Sequence, residues 1–132
     1  MDVVVDTSII IAVLVGESHR EALVRATVSA DLLAPPSVHW EVGNAFAAMF
    51  KRRRLALDAA RRALEVYRRI PIRFSEVGLE QALTLAKDLD IYAYDAYVIA
   101  CAQQHRCALL SLDQGLVTAA GRAGIKTLEF NQ

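Results

Sequence analysis

Four acidic residues, Asp6, Glu41, Asp95 and Asp113, recur at places in the chain where a carboxylate can act on a ligand. Asp6 closes the run Val3-Val4-Val5, a strand of three β-branched residues that reads as buried on both faces. Asp113 follows a second apolar run, Ala108-Leu109-Leu110-Ser111, after the single residue Leu112. Glu41 and Asp95 each fall at the N-terminal end of an expected helix. Open α/β sheets bind ligands in the crevice beyond the carboxyl ends of their strands, and all four acids are expected above that edge. Four carboxylates in one cleft repel one another, and their pKa values rise unless a cation neutralises them. A hard divalent ion such as Mg2+ takes oxygen ligands and keeps several waters, so two or three carboxylates with a hydroxyl from Ser8 or Ser111 suit it. The chemistry of such a site is metal-assisted hydrolysis of a phosphodiester.

Each acid also has an ordinary structural use. Asp6 or Ser8 can cap the helix that follows the first strand, and Asp95 can sit at the N-cap or first turn of its own helix. Glu41 can face water near the positive end of a helix dipole, worth a few tenths to ~1 kcal/mol. Capping predicts scattered sites, whereas a shared chemistry predicts that the four meet.

The elements that must position them alternate along the chain. After the strand over 3–5 come helices over 8–15, ending near Gly16, and 21–30, then a brief strand over 32–34. Pro35-Pro36-Ser37 opens a mostly apolar helix over 38–50, on which Glu41 and Asn44, three apart, share a face. A basic turn leads to a helix over 58–70, capped by Asp58, with Ala60, Ala63, Leu64 and Tyr67 inward. Pro71 ends it, and Ile72-Arg73-Phe74 is a short strand or an extended link. Helices over 77–89 and 96–105, a strand over 108–111, a helix over 114–123 and a last strand over 126–130 complete the order. Such alternation implies α/β architecture: a three-layer α/β/α sandwich around a central parallel sheet.

At 132 residues the chain, 1–132, is expected to be a single domain able to bury roughly two-thirds of its unfolded surface. Its 55% hydrophobic and 23% charged residues exclude a solvated, disordered tail. The N-terminal apolar run falls short of the ~20 residues that span a bilayer, and Asp2 and Asp6 stand where a signal peptide carries positive charge. A cytoplasmic protein without membrane attachment is expected. Cys101 and Cys107 form no Cys-x-x-Cys pattern and read as buried thiols on a helix and a strand. The 15 basic and 15 acidic side chains cancel, which argues against a generally basic nucleic-acid coat. Yet residues 51–73 hold nine basic side chains against two acidic ones, among them Lys51, Arg52, Arg53 and Arg54. These arginines make either a solvated face or a path for RNA phosphates.

Asp6-Thr7-Ser8 after a valine strand, Glu41 with Asn44, Tyr94-Asp95-Ala96 before a long helix, and Leu110-Ser111-Leu112-Asp113 together resemble the four acidic motifs of PIN-domain ribonucleases. Length, order and spacing are similar to the toxin half of VapBC toxin–antitoxin pairs over essentially the whole chain. The resemblance implies a PIN-like fold, an endoribonuclease dependent on Mg2+ or Mn2+, a homodimer, and a cognate VapB-like antitoxin that occupies the cleft. It further implies that Asp6, Glu41, Asp95 and Asp113 are the acidic catalytic set, with Asp6, Asp95 and Asp113 toward metal. Ser8 and Ser111 supply hydroxyl support, Asn44 stands outside the ligands as a supporting group, and Arg52, Arg53 and Arg54 are contacts for RNA or antitoxin. The motif leaves open whether Asp113 binds metal directly or through water. Ser111 stands where the family commonly has Thr, which keeps the oxygen.

Other chemistries fit less well. A haloacid-dehalogenase-like phosphatase needs a second Asp two positions after the first, where this chain has Ser8. His39-Trp40-Glu41 has the His-x-Glu of zinc deaminases, but no Pro-Cys-x-x-Cys follows. No Gly-rich phosphate loop follows the first strand. The alternative is a non-catalytic protein-interaction module of the same fold, which would not lose its function when one carboxylate becomes an amide.

Overall fold

The computed structural model describes residues 1–16, 18 and 20–129. The elements run β1 (Asp2–Val5), α1 (Thr7–Leu14), α2 (Arg20–Thr27), β2 (Asp31–Ala34), α3 (Ser37–Lys51), α4 (Leu57–Arg69), β3 (Ile72–Phe74), α5 (Leu79–Leu89), α6 (Ala93–His105), β4 (Ala108–Leu110) and α7 (Gln114–Arg122). The four strands form one sheet in the order β3-β2-β1-β4, and every pairing is parallel. Helix α1 packs against α2, α3 and α4, while α6 lies on β1, β2 and β4 and carries α5. This is the expected α/β/α sandwich.

Strand β1 is the axis of the fold because it has a neighbour on each side and no polar side chain between Val3 and Val5. All three valines are fully or almost fully buried, as are Leu33, Ile99, Leu109, Leu110 and Leu116 around them. Each such side chain contributes about 1.5–3 kcal/mol relative to exposure. The chain leaves β1 toward β2 on one side and returns to β4 on the other, so the gap between β1 and β4 is the topological switch point where α/β sheets bind ligands. Val3, Val4 and Val5 pair with Ala108, Leu109 and Leu110, a register that brings the next residues, Asp6 and Ser111, side by side.

Several expectations are corrected. Asp58 is not the cap of α4: Ala56 holds that position without a side-chain bond, and Asp58 sits in the first turn, 3.5 Å from Arg61. Arg61 competes for the carboxylate that would otherwise bend back to the backbone. The strand expected over 126–130 is a single bridge between Leu109 and Thr127, and Phe130 lies outside the described residues. With β4 only three residues long, there is little edge for a fifth strand to follow. Cys101 is buried in α6, but Cys107 is only partly buried and precedes β4. Burial pushes the Cys101 thiol up to about 12. Ile72–Phe74 is a true strand, parallel to β2. Among the described residues no helix is long and apolar enough to cross a membrane.

Candidate functional site

Asp6 is the N-cap of α1, and the same side chain is the centre of a polar cluster. Its Oδ1 accepts a hydrogen bond from the Ile9 amide at 3.3 Å and from Ser8 Oγ at 2.6 Å, and its Oδ2 accepts one from Ser111 Oγ at 2.6 Å. Both carboxylate oxygens are thus bound, and the residue is 7% exposed. The two hydroxyls lie 3.4 Å apart and each serves a second group: Ser8 Oγ accepts from the Leu112 amide and Ser111 Oγ from the Asp113 amide, both at 2.9 Å. Asp113 in turn caps α7 by accepting from the Leu116 amide at 3.2 Å. Capping and clustering are therefore not rival uses of these aspartates. The turn that a cap requires is what points each carboxylate across the β1–β4 gap.

Glu41 and Asp95 face the same cluster from α3 and α6. Glu41 lies in the second turn of α3, and Asp95 in the first turn of α6, whose N-cap is Tyr92. Asp95 is therefore not the cap. Burial and the charges of Asp6 and Asp95 raise the Glu41 carboxyl to about 7. Thr7 Oγ1, buried and without a full hydrogen bond, stands near enough to oppose part of that rise. Burial, then the charges of Asp113 and Asp6, lift Asp95 above its ordinary value. Burial outweighs the two serine hydroxyls and lifts Asp6 as well, with Asp113 adding to the effect. The structure brings the four expected acids into one electrostatically coupled set.

Among the described residues, the ion pairs engage Asp2, Glu21, Asp31, Asp58 and Glu65 and none of these four acids. The set has oxygen donors and no basic side chain to balance them, which fits a hard cation. No three His, Cys, Asp or Glu side chains among the described residues converge closely enough to hold an ion alone. An ion held there would have to take part of its shell from water, as Mg2+ readily does.

Asn44, on the same face as Glu41, lines a cleft of about 240 Å³ with Thr7, Trp40, Glu41, Ala45 and Tyr94. Trp40 and Tyr94 were not among the expected site residues, although each is the immediate sequence neighbour of an acid. A larger apolar cleft of about 350 Å³, between α1, α2 and α4, is lined by Ile10, Val13, Val24, Val28 and Val66 and holds none of the four acids. Arg52, Arg53 and Arg54 are exposed in the turn that ends α3, and Arg53 adopts a left-handed φ of 54°. At 1.5 Å per residue they lie roughly 16 Å along the helix from Glu41, so they do not join the acids.

A PIN-domain family model matches residues 3–122. The chain belongs to the PIN-domain family. This PIN domain is 31% identical over 112 residues, 84% of its length and 85% of theirs, to a VapC ribonuclease of Mycobacterium bovis and to ribonuclease VapC9 of Mycobacterium tuberculosis. Solved structures share its fold: PAE2754 from Pyrobaculum aerophilum has a TM-score of 0.73 at 22% identity, covering 96% of this chain and 92% of that one. VapC20 of Mycobacterium tuberculosis, a sarcin-ricin loop cleaving toxin, has a TM-score of 0.64 at 18% identity, covering 89% and 94%. VapBC2 from Rickettsia felis, solved bound to a promoter DNA fragment, has a TM-score of 0.68 at 8% identity, covering 99% and 100%.

Proposed function

We propose that this PIN domain is a metal-dependent endoribonuclease, the toxin of a toxin–antitoxin pair, and that residues 1–132 act as one cytoplasmic domain. The observation that carries the reading is the coupled set of Asp6, Glu41, Asp95 and Asp113 at the switch point, which among the described residues forms no ion pair with a basic side chain. Asp6, Asp95 and Asp113 would hold Mg2+ or Mn2+ in part through bridging waters, since no three such side chains among the described residues are arranged to bind an ion together. When bound, the ion lowers the pKa of water and offsets charge on the phosphate oxygens.

The chain's own residues then do the following. Ser8 and the Ile9 amide occupy Oδ1 of Asp6 and Ser111 binds Oδ2, so the carboxylate is fixed in place and Oδ2 is the oxygen left with room for a further ligand. Glu41, whose carboxyl faces the same cluster, would accept the proton of the attacking water. Water adds to phosphorus as the bond to the leaving ribose oxygen breaks, and that oxygen takes up a proton. Asn44 supports Glu41 from the same helix face. Arg52, Arg53 and Arg54 meet RNA phosphates or acidic residues of a VapB-like antitoxin. A second copy of the chain completes a homodimer.

The test is cleavage of end-labelled structured RNA in Mg2+ or Mn2+, beside EDTA and the Asp6→Asn and Asp95→Asn variants. Cleavage is expected to need the ion and to fall at least ~100-fold in each variant, which keeps its shape but loses charge. Asn caps a helix as well as Asp does, so folding survives in Asp6→Asn. Equal behaviour of wild type and variants would refute the reading and favour a non-catalytic interaction module.

A further inference from the structure

Trp40 is 73% exposed and Tyr94 56% exposed, yet both line the cleft that contains Glu41 and Asn44. Large aromatic rings left in water beside a polar cleft need a reason, because burying them elsewhere would be favourable. Both rings are also braced. His39 packs edge-to-face on Trp40, with centroids 4.8 Å apart and planes at 79°, and is itself held by the buried Tyr67, whose hydroxyl lies 3.1 Å from His39 Nδ1. Tyr97 meets Tyr94 in the same way, at 6.0 Å and 85°. An exposed ring held by a second ring loses little freedom when something stacks on it.

Flat, uncharged, π-faced ligands fit such a place. In the substrate proposed above, the part with that chemistry is an unpaired base, since single-stranded RNA is read by stacking on aromatic side chains and by hydrogen bonds to base edges. The lining of this cleft offers no Lys or Arg to hold a phosphate, and an apolar peptide would find more apolar surface in the cleft between α1, α2 and α4. We propose that Trp40 and Tyr94 form a stacking subsite for one unpaired nucleobase next to the acids, with the Asn44 amide reading its edge. The inference rests on the ribonuclease reading and adds to it a demand that the RNA be unpaired at the cut.

Trp40 is the single tryptophan of the chain, so its emission reports on the subsite directly. The uncleaving Asp6→Asn protein is titrated with single-stranded oligoadenylate and oligouridylate and with an RNA duplex, while wild type, Trp40→Ala, Trp40→Phe and Tyr94→Ala are assayed for cleavage. Quenching by a single strand and not by the duplex is expected, with KM rising roughly 10-fold in Trp40→Ala and returning toward wild type in Trp40→Phe. If wild type cleaves RNA but neither oligomer moves the emission and Trp40→Ala keeps KM and kcat within about twofold, the subsite is overturned and the nuclease stands. Emission that follows protein concentration and not RNA assigns Trp40 to a contact between proteins and overturns it too. Absence of cleavage by wild type removes the nuclease reading and this inference together.

Discussion

Replacing Glu41 by Gln is expected to stabilise the metal-free protein at alkaline pH and to do almost nothing in acid. The folded-state pKa of Glu41 is about 7 against an ordinary 4.5. Below 4.5 the group is protonated whether the chain is folded or not, and its proton costs nothing. Between 4.5 and 7 the unfolded chain has lost that proton and the folded chain holds it, so stability falls as pH rises through this window and levels off above it. At about 1.4 kcal/mol per pH unit the interval would be worth roughly 3 kcal/mol for a sealed group. Glu41 is half-buried, solvent screens it, and about 1–2 kcal/mol remains. Gln is close to isosteric and removes the charge that burial, Asp6 and Asp95 oppose. Urea unfolding in EDTA at pH 8 should therefore show Glu41→Gln more stable by that amount, a gain of about 3–8 °C in Tm. At pH 4.5 the two curves should nearly coincide. A variant less stable than wild type at pH 8, or a gain equal at both pH values, would refute the claim that the acids strain one another.

The other expectations concern the same cluster and the basic turn. Ser111→Ala removes the donor to Asp6 Oδ2, which is buried, and the acceptor of the Asp113 amide, which is partly buried, and should cost about 1–3 kcal/mol in denaturant unfolding. Mg2+ or Mn2+ should raise Tm at pH 8 by mass action, about 2.7 kcal/mol at a hundred times Kd, and the gain should vanish in the Asp6→Asn, Asp95→Asn double variant. Reversing charge at Arg53 and Arg54 should weaken RNA or antitoxin binding and flatten its dependence on salt, with no change in cleavage of a short dinucleotide that cannot reach that turn. Binding of both partners unchanged in salt titrations would remove these arginines from the interface.

The sequence announced the sheet and the acids because both are local signals. Three valines followed by Asp6, and an apolar run followed by Ser111-Leu112-Asp113, are visible without any long-range contact, and parallel pairing follows from alternation. What alternation could not supply was the order of strands. Only that order places Ser111 at Asp6, 105 residues away along the chain, and turns two apparent caps into one cluster. Asp58 failed as a cap because Arg61, one turn on, draws its carboxylate outward, a competition between side chains that cap preferences do not contain. The bracing of Trp40 by His39 and Tyr67 joins α3 to α4, and nothing in the spacing of either helix reports the other.

The bonds from Ser8 and Ser111 to Asp6 also set the order in which the acidic cluster is assembled. Synthesis delivers β1 first, and Asp6 emerges with its cap but without Ser111, Asp113 or the strand that carries them toward it. Strand β4 reaches the sheet by pairing with β1, so residues 108–113 must be made before the four carboxylates can be gathered. A chain made only as far as α6 carries Asp6, Glu41 and Asp95 but lacks Ser111 and Asp113 and the strand that brings them to Asp6. The meeting of the four acids is thereby a late event of folding, delayed by the 105 residues that separate Asp6 from Ser111 along the chain.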